Sequence, residues 1–482
     1  MRPAFRVPFF PLGAFTVLIL GACAKIDSQT TPTADGGRIP VTQPVDAAAP
    51  DRPAVVVDSG PPAPPPCVGL ACQQMNCPTG GTTSVSGTVF APNGTLPLFN
   101  VTVFVPNGPL AVLADGVTCD RCGARIQNAL VSAASDEKGQ FKLTNVPVGK
   151  DIPLVVQVGK WRRRTTIPNV AACTETALTD PELTRLPRNR TEGDMPRIAV
   201  TTGGCDSLAC ILPKVGVDKA EMGIAGDNKA VTFFRGGSVI AVGPLAGSSG
   251  PPNSTPATDL WRDESALKKY DLALLSCECS EQLTEKGAAA YDAMTKYLSE
   301  GGRVFGSDFM YVWYQHATDP ALAGALDIGG GAPPAKNPMT IDTSFPKGKA
   351  LADWMKFVDP AVTYGQITAD QVFDNFNSAM PASVQVWASS ESERMTAEQH
   401  PRIVTVNTPV GAPKDQQCGR AVHLDAHISS VGGVLGPRGM PGATTFPEVC
   451  GTKLNKGEEA LAFLFFDLAA CVQNDQEPVV IP

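Results

Sequence analysis

The chain lacks the kind of apolar run that crosses a bilayer as a helix. Its leading apolar stretch, Phe9 to Leu20, is about a dozen residues with Pro11 inside, and a spanning helix needs about 20. It also lacks any excess of positive charge: 39 Lys and Arg stand against 47 Asp and Glu, a net charge of −8. That balance offers no electrostatic footprint for a nucleic acid. Histidine is scarce, at four residues, and no motif is strong enough to name a substrate or a reaction. Cysteine is what the chain has in quantity, with 14.

The first segment reads as an export signal. Arg2 and Arg6 precede the apolar run, and Gly21 and Ala22 are small enough to let a peptidase reach the backbone beside Cys23. Leu20-Gly21-Ala22-Cys23 resembles the lipobox of bacterial lipoproteins. The resemblance implies cleavage after residue 22, lipidation of Cys23 and anchoring to a membrane through the acyl chains. Ala24 follows, where an Asp would imply inner-membrane retention, so the rule points to the outer membrane of the cell envelope.

A chain of 482 residues has room for two or three domains beyond such a signal. Export also sets the chemistry of the cysteines. In an oxidising compartment, cysteines at this density read as disulfides rather than metal ligands, and with Cys23 set aside an odd number remains, so at least one thiol stays free or bridges between molecules. Residues 23–66 are rich in Pro, Ala, Thr and Asp. They cannot bury enough apolar surface to offset their ordering entropy, which predicts a disordered spacer. Cys67, Cys72 and Cys77 then recur at five-residue steps, and residues 67–81 read as a disulfide-stapled neck.

Over residues 82–175 apolar residues alternate in short runs, such as Val101, Val103 and Val105, separated by turns such as Pro92-Asn93-Gly94. Period-two patterning with such turns predicts an all-β sandwich. Ser86-Gly87-Thr88-Val89, Asn100-Val101-Thr102-Val103, Asp136-Glu137-Lys138-Gly139-Gln140-Phe141 and Asn145-Val146-Pro147-Val148-Gly149 resemble the carboxypeptidase regulatory-like module, a transthyretin-like sandwich. The resemblance implies a non-catalytic spacer or binding module. Cys119-Asp120-Arg121-Cys122 lies in an insertion and reads as a disulfide that pins that loop. Trp161-Arg162-Arg163-Arg164, an aromatic beside three guanidinium groups, is a candidate grip for an envelope glycan or lipid head group. The order of these parts resembles that of lipoproteins from myxobacteria and similar soil bacteria.

Residues 195–475 alternate strand and helix patterns, which predicts an α/β domain with a mostly parallel sheet. Tyr270 to Ser276 reads as a strand. A helix follows from about Thr284, with Ala288, Tyr291, Met294 and Leu298 on one face, and Gly301-Gly302 end it before the strand Arg303-Val304-Phe305-Gly306. Later strands are expected at Ser383–Trp387, Arg402–Val406 and Arg420–Ile428. A last helix is capped by Asn455 with Glu458 three residues on. The segments Tyr270–Ser276 and Tyr297–Gly306 resemble the glutamine-amidotransferase-like fold. That family carries a nucleophilic cysteine in a Gly-x-Cys-x-Gly elbow, and here Gly306-Ser307-Asp308 stands in its place.

Three constellations could carry chemistry. His423, Asp425 and His427 alternate on a predicted strand, so they would share a face and could ligate a divalent metal; the outer pair would lie about 13 Å apart on an ideal strand, so one ion needs the strand to bend. Cys277, in Ser276-Cys277-Glu278-Cys279-Ser280, closes a predicted parallel strand, where open α/β sheets place ligands. Activated by His427 or His316, it would be a nucleophile; otherwise Cys277 and Cys279 would pair with partners such as Cys205 or Cys210. Asp308 precedes Phe309, Tyr311, Trp313 and Tyr314, a set suited to a sugar cleft. The expectation is a lipid-anchored envelope protein acting as a non-catalytic binding or structural module, with no cofactor except a divalent ion at the histidines. A hydrolase using Asp308, His427 and Cys277 is the alternative.

Overall fold

The computed structural model describes residues 67–479 except 79, 124–125, 127, 237–252, 394–397, 429–445 and 448–449. The export segment, Cys23 and the Pro-rich spacer therefore lie outside the described residues. The molecule is strand-rich, with several parts and mixed sheets. No helix among the described residues is long and apolar enough to cross a membrane.

Two small sheets come first. One orders Gln140–Thr144, Ser84–Thr88 and Glu175–Leu178; the other orders Ala129–Ala134, Thr102–Pro106, Gly149–Val158 and Trp161–Val170. Alternation does the sorting: along Gln140–Thr144, Phe141 and Leu143 are buried while Gln140, Lys142 and Thr144 face water. Val85, Phe141 and Leu143 of the first sheet share a core with Val103, Val105, Ile152, Leu154 and Val156 of the second.

That core does not stop at the small sheets. Trp161 is fully buried, its ring centroid 5.6 Å from that of Phe466 and 6.1 Å from that of Phe465, and its Nε1 donates to the Pro187 carbonyl at 2.9 Å. Trp354 Nε1 likewise donates to the Pro97 carbonyl at 2.8 Å. The helices Pro346–Val358 and Lys456–Ala469 therefore seat the small sheets on the larger part through continuous apolar packing.

The large sheet orders Thr255–Pro256, Val231–Arg235, Ile198–Thr201, Leu272–Leu275, Arg303–Ser307, Gly419–Leu424, Gln399–Thr408, Val384–Glu391, Met339–Ile341 and Gln366–Ile367. The strands from Thr255–Pro256 to Gly419–Leu424 run parallel, and every later pairing is antiparallel. Ile198–Thr201 and Leu272–Leu275 are buried at every position, as strands covered on both faces must be. The antiparallel half follows from the connections: among the described residues no α-helix separates Val384–Glu391 from Gln399–Thr408, or Gln399–Thr408 from Gly419–Leu424, where a single 3-10 turn at Lys414–Gln416 intervenes, and links this short reverse the chain. The sheet is thus mixed, with the parallel pairings in the majority and the antiparallel ones confined to one side.

Two helices carry the packing near the sheet's centre. Leu283–Ser299 buries Ala290, Tyr291, Met294 and Leu298, but not Ala288, because Gly287 adopts φ 65° and ψ 175° and shifts the first turn off the apolar face. Lys456–Ala469 begins with the expected box: Asn455 Oδ1 accepts from Glu458 N, and Asn455 N donates to Glu458 Oε2, both at 2.8 Å. Beyond Lys456 every one of its residues is buried.

Six disulfides join Cys67 to Cys72, Cys77 to Cys173, Cys119 to Cys418, Cys122 to Cys471, Cys205 to Cys279 and Cys210 to Cys450. Cys119 and Cys122 do not pin their own loop. Each reaches a different segment of the larger part, 299 and 349 residues away in sequence. Cys277 is the free cysteine among the described residues, and it is buried.

Candidate functional site

The chain leaves Ile198–Thr201 toward Val231–Arg235 on one side and later returns with Leu272–Leu275 on the other. Strand order reverses there, and in open sheets the crevice beyond the carboxyl ends at such a point receives ligands. Gly203 follows the first of these strands; a Cβ there would stand 2.1 Å from the Cys277 carbonyl oxygen, so only glycine fits. The Cys205–Cys279 disulfide ties the two loops together beside it.

Three neighbouring strands bring three side chains to one place. Leu275 pairs with Gly306, and Gly306 with His423, so the ends of Leu272–Leu275, Arg303–Ser307 and Gly419–Leu424 lie level. Cys277, Asp308 and His427 follow those ends and point at one another. Cys277 Sγ donates to Asp308 Oδ2 at 3.2 Å, and His427 Nε2 lies 3.0 Å from the same oxygen. All three side chains are buried. Asp308 adopts φ 44°, a strained value for a residue with a side chain and one typical of functional turns.

Each member of the trio is held from behind. The Cys279 backbone N–H donates to Cys277 Sγ at 3.4 Å, Asn375 Nδ2 donates to Asp308 Oδ1 at 3.0 Å, and Gln371 Oε1 lies 3.2 Å from His427 Nδ1. Asn375 also ties in Asp425: its Nδ2 reaches Asp425 Oδ1 at 2.6 Å, and its backbone N–H reaches Oδ2 at 2.8 Å. Arg402 Nη1 stands 3.6 Å from Asp425 Oδ2, while Arg402 Nη2 and His400 Nδ1 both meet Asp374 Oδ1 at 2.7 Å.

Burial, and then the charge of Asp308, push the Cys277 thiol well above its usual range, so it is protonated and no ready nucleophile. Burial and the Asp308 charge also push Asp425 up to about 7. For His427, burial favours the neutral ring, but the bond to Asp308 and the charges of Asp206, Asp308 and Asp370 outweigh it and raise the pKa.

The remaining candidates lie elsewhere. His423 does not join His427 and Asp425 around one point: its ring packs against Tyr314 and Phe376 at 5.7 and 4.9 Å, neither nitrogen has a hydrogen-bond partner of good geometry, and burial pushes it down to about 3. The strand breaks at Asp425, which separates the two rings. Trp313 and Tyr314 are buried rather than lining a cleft; Trp313 packs edge-on against Trp261 and Tyr291, with Lys286 Nζ 5.8 Å from its ring centre. The Trp-Arg run is divided as well. Trp161 is core, Arg162 bonds Asp194 at 2.7 Å, Arg163 donates to the Glu182 carbonyl at 2.9 Å, and Arg164 is exposed. These four form no single binding surface, because the strand is buried on one side and docked at its start on the larger part. His316 packs against Tyr291 with its ring tilted by 36° and the centroids 4.9 Å apart.

Sequence reading did not single out Asn375, Gln371, Arg402 or Glu281. Tyr311, grouped there with the aromatics, donates its hydroxyl to Glu281 Oε1 at 2.6 Å. No spacing to the trio signals these residues: Gln371 and Asn375 come from one stretch and Arg402 from the strand Gln399–Thr408, all far from Cys277 and Asp308 in sequence.

No family model and no curated protein matches the chain. Among solved structures, a ThuA-like protein from Bacteroides uniformis is similar over 48% of this chain and 82% of its own, at 11% identity and a TM-score of 0.26. One from Parabacteroides merdae is similar over 48% and 78%, at 14% identity and a TM-score of 0.25. A type II cohesin–X-dockerin structure from Acetivibrio cellulolyticus is similar over 24% and 67%, at 15% identity and a TM-score of 0.15. Likeness of that order assigns neither family nor activity.

Proposed function

We propose that this is a lipid-anchored protein of the cell envelope, tethered to the outer membrane through Cys23, that acts as a non-catalytic binding module. In this reading the strands between residues 84 and 178 are a carboxypeptidase regulatory-like sandwich, and the following part is a glutamine-amidotransferase-like α/β domain that holds its ligand at the sheet's switch point. Its partners are an envelope glycan or another envelope protein. The observation that carries the reading is the cysteine pattern. Every described cysteine except Cys277 is in a disulfide, which fits an oxidising compartment. The exception, Cys277, is buried, and its Sγ bonds Asp308 while His427 Nε2 is engaged by the same carboxylate, an arrangement that does not suit a histidine-activated cysteine nucleophile.

Metabolic labelling with a radioactive fatty acid tests the anchor. Label should enter the wild type and disappear in Cys23→Ser, which should then leave the membrane fraction. Labelled Cys23→Ser protein, or a soluble wild type with reduced cysteines, would sink the reading.

One observation favours a hydrolase as second reading: Asp308 sits at a strained strand-end turn with His427 Nε2 3.0 Å away. In that reading Asp308 and His427 handle the proton transfers while Cys277 is a spectator. Hydrolysis of a panel of ester and glycoside substrates that is lost in Asp308→Asn and kept in Cys277→Ala would favour it over the binding module.

A further inference from the structure

We propose that Cys277, Asp308 and His427 bind a zinc-class divalent ion through Sγ, Oδ2 and Nε2, with a fourth position left for water or a ligand group. This rests on the reading of the switch point as a binding site and names what occupies it. It differs from the histidine pair suggested by the sequence, since His423 takes no part.

The geometry comes first. Among the described residues, Cys277, Asp308 and His427 form the His/Cys/Asp/Glu cluster whose ligand atoms all lie within 4.8 Å of one another. In tetrahedral zinc sites, metal–ligand bonds of about 2.0–2.3 Å place neighbouring ligand atoms about 3.3–3.6 Å apart. Here sulfur to oxygen is 3.2 Å and nitrogen to oxygen is 3.0 Å, within a few tenths of an ångström of those edges, and the sulfur–nitrogen edge lies within 4.8 Å, so side-chain rotation of about an ångström at most closes the triangle around an ion. The mixed sulfur, nitrogen and oxygen set suits zinc, which has no geometric preference of its own.

The surroundings point the same way. A ligating histidine normally gives its other ring N–H to an acceptor, which fixes the tautomer. The Gln371 Oε1 carbonyl at 3.2 Å from Nδ1 does this, so that once Nε2 has given up the proton it shares with Asp308, its lone pair faces the ion. Asn375 occupies Asp308 Oδ1 and leaves Oδ2 facing the other two ligands. The Cys279 N–H, pinned by its disulfide to Cys205, is the kind of donor that stabilises a thiolate. Each residue thus turns one atom inward and has its back held.

Charge also balances. Binding sends the Cys277 proton, and any proton on His427 Nε2, to solvent. One thiolate and one carboxylate then neutralise the dication, so no net charge stays buried.

The test uses the full-length exported protein, purified without chelator. Elemental analysis should find about one equivalent of zinc. After dialysis against chelator and reloading with cobalt(II), a thiolate-to-cobalt charge-transfer band should appear, absent in Cys277→Ser. Gln371→Leu should weaken zinc binding by about 10–100-fold. Metal below about a tenth of an equivalent, both as purified and after reloading, overturns the proposal. So does a cobalt complex with no thiolate band, a result read on the wild type alone if the variants fail to fold. Labelling of Cys23 on the same preparation separates the outcomes: anchored protein without metal removes only the ion, and unlabelled protein removes the envelope reading.

Discussion

The side-chain nitrogen of Asn375 stands 3.0 Å from Asp308 Oδ1 and also 2.6 Å from Asp425 Oδ1, so one neutral amide holds two buried carboxylates. Its backbone N–H adds a third bond, to Asp425 Oδ2. Replacing it with leucine keeps the bulk but strands two acceptors, each costing about 1–3 kcal/mol when buried without a partner. Asn375→Leu should therefore lower the stability by at least about 2 kcal/mol. A denaturant midpoint unchanged from the wild type would show that the amide does not hold the pair.

The staples from Cys119 and Cys122 to the larger part make a second expectation. Cys119 and Cys418 lie 299 residues apart in sequence. Removing a native disulfide costs about 2–5 kcal/mol, largely through the unfolded chain. The double variant Cys119→Ser/Cys418→Ser should lose that amount in equilibrium unfolding while peptide mapping still finds the other five pairs. A pairing of Cys119 with Cys122 in the wild-type map would refute the assignment.

Trp161 and Arg164 are close in sequence and opposite in consequence. Trp161 is buried against Phe465 and Phe466, so Trp161→Ala should cost about 3–5 kcal/mol. Arg164 is exposed, and Arg164→Ala should stay within about 0.5 kcal/mol of wild type. Thermal unfolding of the two variants side by side checks both.

Stability should respond to pH in opposite directions at two glutamates. Hydrogen bonds from Arg185, against the pull of burial, hold the Glu192 carboxyl down to about 2 from an ordinary 4.5. A lowered pKa means the unfolded chain binds the proton more tightly. The stabilisation is therefore full above about 4.5 and fades as pH falls toward 2. Burial, then the charge of Asp359, pushes Glu459 up to about 7. Its penalty is absent below 4.5, grows between 4.5 and about 7, and is full above. Glu192→Gln should destabilise the neutral protein and flatten its acid limb. Glu459→Gln should gain more at pH above 7 than in acid, and denaturant titrations across pH would show either slope unchanged if these partners are wrong.

Much of the local structure was legible in the residues. The alternation of Phe141 and Leu143 marks a strand with one wet face, and the Asn455 and Glu458 pair marks the last helix, because both depend on neighbours within a few positions. The Ala288 position failed for a local reason too: Gly287 turns left-handed at a place where the apolar spacing alone predicts unbroken helix.

The site was legible in pieces. Cys277, Asp308 and His427 each stood out beside a predicted strand end, yet nothing in their spacing said that the three would meet. Their convergence requires Leu272–Leu275, Arg303–Ser307 and Gly419–Leu424 to be neighbours in level register. Asn375 and Gln371 were invisible for the same reason, since the stretch that carries both meets the trio only through tertiary packing.

Composition and short-range pattern, by themselves, determined the charge balance, the disulfide-rich character and the strand and helix types, since each depends on residue chemistry or on contacts within a turn or two. Only the tertiary structure decided which cysteine stays unpaired, that His427 rather than His423 faces Asp308, and that Trp161 is core. Those outcomes turn on which segments, hundreds of residues apart, come to share one desolvated interior.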